Sequence, residues 1–112
     1  MTNPLKGQIL ISLGGKDYTC RLNVDAIIKI ETQLDKGILS ITQKLSEADV
    51  RMGELVCILL HALRGGGNDV NETNVKSIIQ DTGIVSTCSA VATLLVSTMS
   101  DPSSEGVESK KG

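Results

Sequence analysis

The sequence predicts a small α+β domain that is mostly α: an N-terminal β-hairpin, then four or five packed helices and a disordered C-terminal tail. Two short segments of alternating character flank Gly14-Gly15, the pattern of a two-residue hairpin turn. Apolar residues then recur at helical spacing, most clearly in the stretch 55–67, LVCILLHALRGGG. The chain has one Tyr and no Phe or Trp, so its core is built from aliphatic side chains, which suits packed helices. We expect one domain over residues 1–100 and a tail over 101–112.

The hairpin prediction can be tested by its register. Strands are predicted over Gln8–Leu13 and Lys16–Leu22, and a two-residue loop fixes which residues lie opposite one another. The pairs on one face are nearly all apolar: Leu13/Lys16, Ile11/Tyr18 and Ile9/Cys20. The other face, which includes Leu10 opposite Thr19, is mostly polar. A lone hairpin is marginally stable, so we expect its apolar face to rest on helices or on another subunit.

The first three helices follow from apolar spacing and end signals. The first is predicted over Val24–Leu34, with Asn23 as its N-cap and Gly37 as its stop. Its expected buried side consists of Val24, Ile27, Ile28, Ile30 and Leu34. A short second helix is predicted over Ile38–Leu45. The central helix is expected to be surrounded on most sides and to end at a left-handed Gly65.

Two more helices are predicted after the glycines. One covers Glu72–Thr82, capped by Asp69 or Asn71 and closed by Gly83. The last covers Thr87–Met99 with Ser86 as its cap, and it depends on tertiary packing because small and β-branched residues dominate it. The segment after it, DPSSEGVESKKG, holds a single aliphatic residue and is predicted to be disordered.

Composition and charge exclude several classes of function. The formal net charge is -2 and the pI is about 5.3, which argues against a protein that binds phosphate backbones. One aromatic residue cannot form the platform on which base-stacking modules depend. No apolar run approaches the length of a membrane span or resembles a signal peptide. We therefore expect no nucleic acid or membrane partner and a cytoplasmic location.

No pattern of reactive side chains indicates an enzyme. Cys20, Cys57 and Cys88 are far apart and are interpreted as buried free thiols rather than metal ligands. His61 lies four residues after Cys57, but apolar surroundings disfavour a thiolate–imidazolium pair. The segment 64–67 could form an anion-binding nest, although a helix stop and mobile connector is the favoured interpretation. We assign no catalytic, cofactor-binding or metal-binding residue and expect a protein that is not an enzyme.

Several short motifs occur together in order along the chain. They are Asn3-Pro4, Gly7, Leu13-Gly14-Gly15-Lys16-x-Tyr18 with Arg21 and Leu22, Ala26-x-x-x-Ile30-Glu31, and Leu63-Arg64-Gly65-Gly66-Gly67. Each is weak alone. Together, over about residues 3–98, they resemble the small tail proteins of gene transfer agents and related siphophages, which are encoded between the tail tube and tape-measure genes.

The resemblance implies a role in tail assembly. That family is usually classed with phage tail assembly chaperones and is sometimes labelled as tail tube proteins. A chaperone of this kind coats the tape-measure protein and helps recruit tail tube subunits in the bacterial host cytoplasm, without a cofactor. The resemblance also suggests a longer frameshifted form, with Lys110-Lys111 as the candidate slippage point.

Partner binding is predicted on two surfaces. The first is the apolar face of the last helix and the second is the outer edge of the hairpin, which together comprise Val91, Leu94, Leu95, Met99, Leu10 and Thr19. One alternative is a structural tail tube or connector subunit that self-associates into rings by pairing hairpins. A small DNA-binding regulator is a second alternative, although no helix begins with a Lys/Arg cluster.

Overall fold

The computed structural model describes residues 8–100, which form a two-stranded antiparallel sheet followed by five α-helices. The elements are β1 (Gln8–Leu13), β2 (Lys16–Arg21), α1 (Val24–Leu34), α2 (Ile38–Ser46), α3 (Met52–Gly65), α4 (Glu72–Thr82) and α5 (Ile84–Ser100). The predicted fold class is confirmed. The predicted tail over 101–112, including Lys110-Lys111, and the Asn3-Pro4 motif lie outside the described residues.

The hairpin has the register that the sequence predicts, from Gln8 opposite Arg21 to Leu13 opposite Lys16. Gly14 and Gly15 have φ values of 60° and 85°, both in the left-handed region that a primed turn requires. Because side chains alternate between faces, one face carries the buried Ile11, Leu13 and Cys20. That face rests on the helices, as the marginal stability of an isolated hairpin demands.

Helix α1 buries less of its surface than its sequence suggests. Asn23 caps it as predicted, accepting a hydrogen bond from the Ala26 N–H at 2.8 Å. Ile30 is fully buried, but Val24 and Ile28 are 70% and 52% exposed, so their predicted burial is wrong. The helix lies on the outside of the domain and turns only a narrow stripe inward, which leaves these two residues on its flank. It ends at a left-handed Asp35, two residues before the predicted stop.

Helix α3 forms the centre of the domain and packs against β2, α1 and α4. Six of its residues are buried: Leu55, Val56, Ile58, Leu59, Ala62 and Leu63. The prediction of a largely surrounded central helix is confirmed. Its end differs from prediction, since Gly65 is the last helical residue and the left-handed position is Gly67, at φ 97°.

Helices α4 and α5 follow one another with a bend of 110°. Asn71 caps α4 and Gly83, at φ 97°, closes it, both as predicted. Helix α5 begins at Ile84, three residues before the predicted Thr87. The reason is local: the Gly83 carbonyl accepts hydrogen bonds from both the N–H and the side-chain hydroxyl of Thr87, so it already opens the next helix.

Candidate functional site

One outer edge of the hairpin is closed by the glycine segment at the end of α3. Leu13 and Lys16 flank a two-residue turn and are hydrogen-bonded to each other, so Thr19 and Arg21 direct their backbone groups away from β1. A Cβ atom on Gly65 would overlap the carbonyl oxygen of Arg21, and one on Gly66 would overlap that of Thr19. Only glycine therefore allows the end of α3 to lie this close to the edge of β2.

Asn68 completes this closure. Its side-chain amide donates one hydrogen bond to the Thr19 carbonyl at 2.7 Å and another to the Leu63 carbonyl at 3.0 Å. The Thr19 carbonyl oxygen thus already accepts a hydrogen bond, and Thr19 itself is half-buried. Of the two hairpin residues predicted to bind a partner, Thr19 lies on the closed edge.

The other predicted hairpin residue, Leu10, lies on the opposite edge, which is open. Leu10 and Ser12 direct their backbone groups away from β2, and within residues 8–100 no hydrogen bond joins those groups to another element. The Leu10 side chain is 66% exposed and that of Ser12 is exposed as well. Strand β1 contains no charged residue.

The residues predicted to bind a partner on the last helix are divided between core and surface. Val91, Leu94 and Leu95 have no exposed area and form the core of the domain with α2, α4 and β1. Met99 is 36% exposed. The inward stripe of α5 therefore stabilises the folded chain, and in this conformation only Met99 among the four is accessible.

A second surface of α5 did not emerge from the sequence. Val85, Ser89, Thr93 and Val96 are exposed and lie at spacings of about one helical turn, so they form one stripe, called here the α5 outer face. Val85 is 68% exposed and Val96 is 50% exposed. No residue from Ile84 to Ser100 is charged. The signal that could have revealed this face was the absence of charged residues on every side of the helix, with Val85 and Val96 outside its buried stripe.

Cys57 and His61 meet at one amide oxygen. The Cys57 thiol donates to Gln33 Oε1 at 2.8 Å, and His61 Nε2 lies 3.3 Å from the same atom. Burial and the nearby Glu72 carboxylate raise the pKa of Cys57, while burial and the cations Lys29 and Arg64 lower the pKa of His61. Both changes favour the neutral pair, so the arrangement does not supply a thiolate.

The other two cysteines are buried free thiols, as predicted. Burial raises the pKa of the Cys20 thiol to about 11 and also raises that of Cys88. In both cases the apolar surroundings disfavour the thiolate.

The glycine segment is not an anion-binding nest. Its N–H groups already donate to carbonyl groups of α3: Gly66 to Ala62, Gly67 to Arg64 at 3.0 Å, and Asn68 to Leu63 at 3.0 Å. They are therefore unavailable to an anion. The favoured interpretation as a helix stop is correct, but the segment is packed against β2 rather than being a mobile connector.

In the part of the chain that the structure describes, no three His, Cys, Asp or Glu side chains are grouped so that they could hold a metal ion. No single described helix has the length and apolarity needed to cross a membrane; α4 and α5 pass that test only as a pair bent by 110°, on length and composition alone.

Comparison with known families identifies the chain. A family model described as "Phage tail tube protein, GTA-gp10" matches residues 6–101, which include every element of the fold. The chain belongs to this family. No curated protein and no solved structure matches the chain. The resemblance to gene transfer agent and phage tail proteins is thereby confirmed.

Membership in this phage tail family defines the general role. The family is one of structural tail proteins, whose function is assembly with other tail proteins. The relevant sites are consequently surfaces, and two stand out in the described chain: the open edge of β1 and the α5 outer face.

Proposed function

We propose that the protein is a tail assembly chaperone that binds helical segments of the tape-measure protein through the α5 outer face. It then helps to recruit tail tube subunits in the cytoplasm of the bacterial host, without enzymatic activity. The observation that carries the proposal is the exposed α5 outer face on a 17-residue helix that contains no charged residue. A face of this kind can pack against another helix with no loss of charge hydration.

The side chains of the α5 outer face suit repeated binding to similar segments. Ser89 and Thr93 are small and lie at its centre, so the backbone of a second helix can approach closely. Val85 and Val96 lie at either end and offer apolar contact. Met99 adds a flexible side chain that adapts to different partners.

The closed edge of β2 argues against a subunit that forms rings by pairing hairpins. A ring joined by hairpin pairing needs two open strand edges in each subunit, one to accept and one to offer. Here Gly65, Gly66 and Asn68 occupy the outer edge of β2. Subunits could not continue their sheets around a ring without displacing the end of α3.

A tail tube subunit is the second candidate, and the family's own description favours it. In that case the protein would remain in the finished particle, and its ring contacts would be made by helices rather than by the sheet. The family match gives no comparable support to the DNA-binding alternative.

Co-expression with the tape-measure protein, followed by pull-down and sizing, tests the chaperone proposal. We expect a soluble complex with several copies of this chain per partner. Val96→Glu places a charge on the α5 outer face and is expected to reduce binding by roughly tenfold or more, since the charge would be buried without a partner.

Val24→Glu is the matched control. Val24 is 70% exposed on α1, and its position in the first helical turn favours a carboxylate. This variant should bind like the unchanged protein. If both variants bind equally, the α5 outer face is not the site; if the chain ignores the tape-measure protein but forms rings or tubes, the second candidate replaces the first.

A further inference from the structure

The open edge of β1 offers a set of backbone groups with a defined geometry. Leu10 and Ser12 each present one N–H and one C=O away from β2, and between them Ile11 bonds inward to Tyr18. Within residues 8–100 no hydrogen bond joins these four groups to another element, and both residues are exposed. Strand edges are usually protected by charged residues, proline or a covering segment, and β1, QILISL, contains neither a charged residue nor a proline.

We propose that β1 pairs with β1 of a second copy, antiparallel, about a twofold axis at Ile11. In this register the N–H and C=O of Leu10 bond to those of Ser12 in the other copy, and the symmetry repeats the pair. Four hydrogen bonds form and satisfy all four outward groups of each strand. The two hairpins become one four-stranded sheet in the order β2-β1-β1-β2.

The chemistry of β1 favours a second copy as the occupant. In the proposed register Ile11 lies opposite Ile11, and Ile9 lies opposite Leu13, on the face that rests on the helices. Leu10 lies opposite Ser12 on the other face. No like charges meet, because the only charged residues of the hairpin are on β2: Lys16, Asp17 and Arg21.

The end of the same chain is a poorer occupant. The sequence after Ser100, DPSSEGVESKKG, contains one proline, two glycines and a single β-branched residue, Val107. Such a composition has low strand propensity and could fill few positions of a ladder. The proposal does not depend on the chaperone function, since it concerns the pairing of two copies of this chain without any other tail protein.

Sedimentation and amide hydrogen exchange on the full chain test the proposal together. We expect a monomer–dimer equilibrium in which the exchange of the Leu10 and Ser12 amides slows as concentration rises. The Ile11 amide, which bonds to Tyr18 within the hairpin, should be protected at every concentration.

Leu10→Pro tests the contact itself. It removes the outward N–H of Leu10 and leaves the ladder to β2 intact, as proline does on an edge strand. Because each dimer loses two of its four hydrogen bonds, we expect dimer affinity to fall by roughly thirtyfold or more. Leu10→Ala is the matched control, since it removes the side chain but keeps the N–H, and its dimer should persist.

Circular dichroism identifies a variant that fails to fold. If Leu10→Pro fails to fold, Leu10→Lys is tested in its place. The Leu10 side chain is exposed, and a lysine on an edge strand discourages pairing with another strand. A chain that stays monomeric at all concentrations overturns the proposal. A dimer in which the Leu10 and Ser12 amides still exchange fast also overturns it. The same holds if these amides are protected equally at every concentration, because the chain would then cover its own edge.

Discussion

The two edges of the hairpin differ in how they are protected. The outer edge of β2 carries charged residues and is also covered by backbone, with Gly65 and Gly66 against its carbonyl groups and Asn68 bonded to one of them. The outer edge of β1 has no charged residue, and among the described residues no hydrogen bond joins Leu10 or Ser12 to another element. The two edges therefore differ in their availability for pairing with another strand, because Gly65 and Gly66 pack against one of them only.

Gly66→Ala should break the closed edge and have the largest effect. The added Cβ would overlap the Thr19 carbonyl and would also press on the Cα of Cys20. Backbone cannot move aside as a flexible side chain can, so we expect a loss of about 3 kcal/mol in the free energy of unfolding. Urea denaturation followed by circular dichroism measures it.

Gly53→Ala is the control for that substitution. Gly53 lies near the start of α3, and nothing within 4 Å would meet its added Cβ. Alanine should leave stability unchanged or raise it by up to about 1 kcal/mol, because it suits a helix better than glycine. Equal losses at Gly53 and Gly66 would contradict the close packing against β2.

Asn68→Ala should weaken the closed edge more moderately. It removes two part-buried hydrogen bonds, to the Thr19 and Leu63 carbonyls, at an expected cost of about 1–2 kcal/mol. Ser12→Ala likewise replaces a polar side chain with alanine, but at the open edge, where that side chain is exposed. It should lower the free energy of unfolding by less than about 0.5 kcal/mol. Thermal unfolding of the two variants compares the edges directly, and equal costs would remove the distinction between them.

Glu54→Gln should have a modest effect and acts at the end of α3 opposite to Gly65 and Gly66. The Lys36 ammonium donates a hydrogen bond to Glu54 Oε2 at 2.6 Å, which lowers the pKa of that carboxyl below its ordinary value of 4.5. A lowered folded-state pKa adds stability above pH 4.5, and this is lost as the pH falls through the folded-state pKa.

The expected stability difference between Glu54→Gln and the unchanged chain is about 0.5–1 kcal/mol near neutral pH, because both groups of the ion pair touch solvent. It should shrink as the pH falls below 4.5, towards the lowered folded-state pKa. Urea denaturation at several pH values measures it. A difference that does not change with pH would mean that the ion pair is not the source.

Local signals in the sequence predicted most of the fold. The Gly14-Gly15 turn gave the correct register, and Asn23, Asn71 and Gly83 were correctly assigned as helix ends, because caps and turns depend on a few adjacent residues. Burial was harder. Val24 and Ile28 are exposed and Leu94 is fully buried, since each depends on which neighbour a helix meets, and that is not a local property.

The sequence predicted the hairpin edge as a candidate surface, but it did not predict which of the two edges is open. Of the two hairpin residues predicted to bind a partner, Leu10 lies on the open edge and Thr19 on the closed edge, and partner binding at either stays a prediction. The closure joins residues 49 positions apart, through the hydrogen bond from Asn68 to Thr19. A run of three glycines predicts a turn, but it does not indicate whether that turn faces solvent or packs against a strand. The packing of this segment on β2 was therefore not predictable from the sequence.

The closed edge of β2 also limits how far an aggregate of this chain can grow. A strand that adds to β1 brings its own covered edge to the outside, so a sheet of these hairpins ends at four strands. Cross-β fibres need a free edge at every step of addition. In the proposed pairing, the glycines at the end of α3 therefore stop further strand addition. The chain can keep one open strand edge without forming a fibril that grows at both ends.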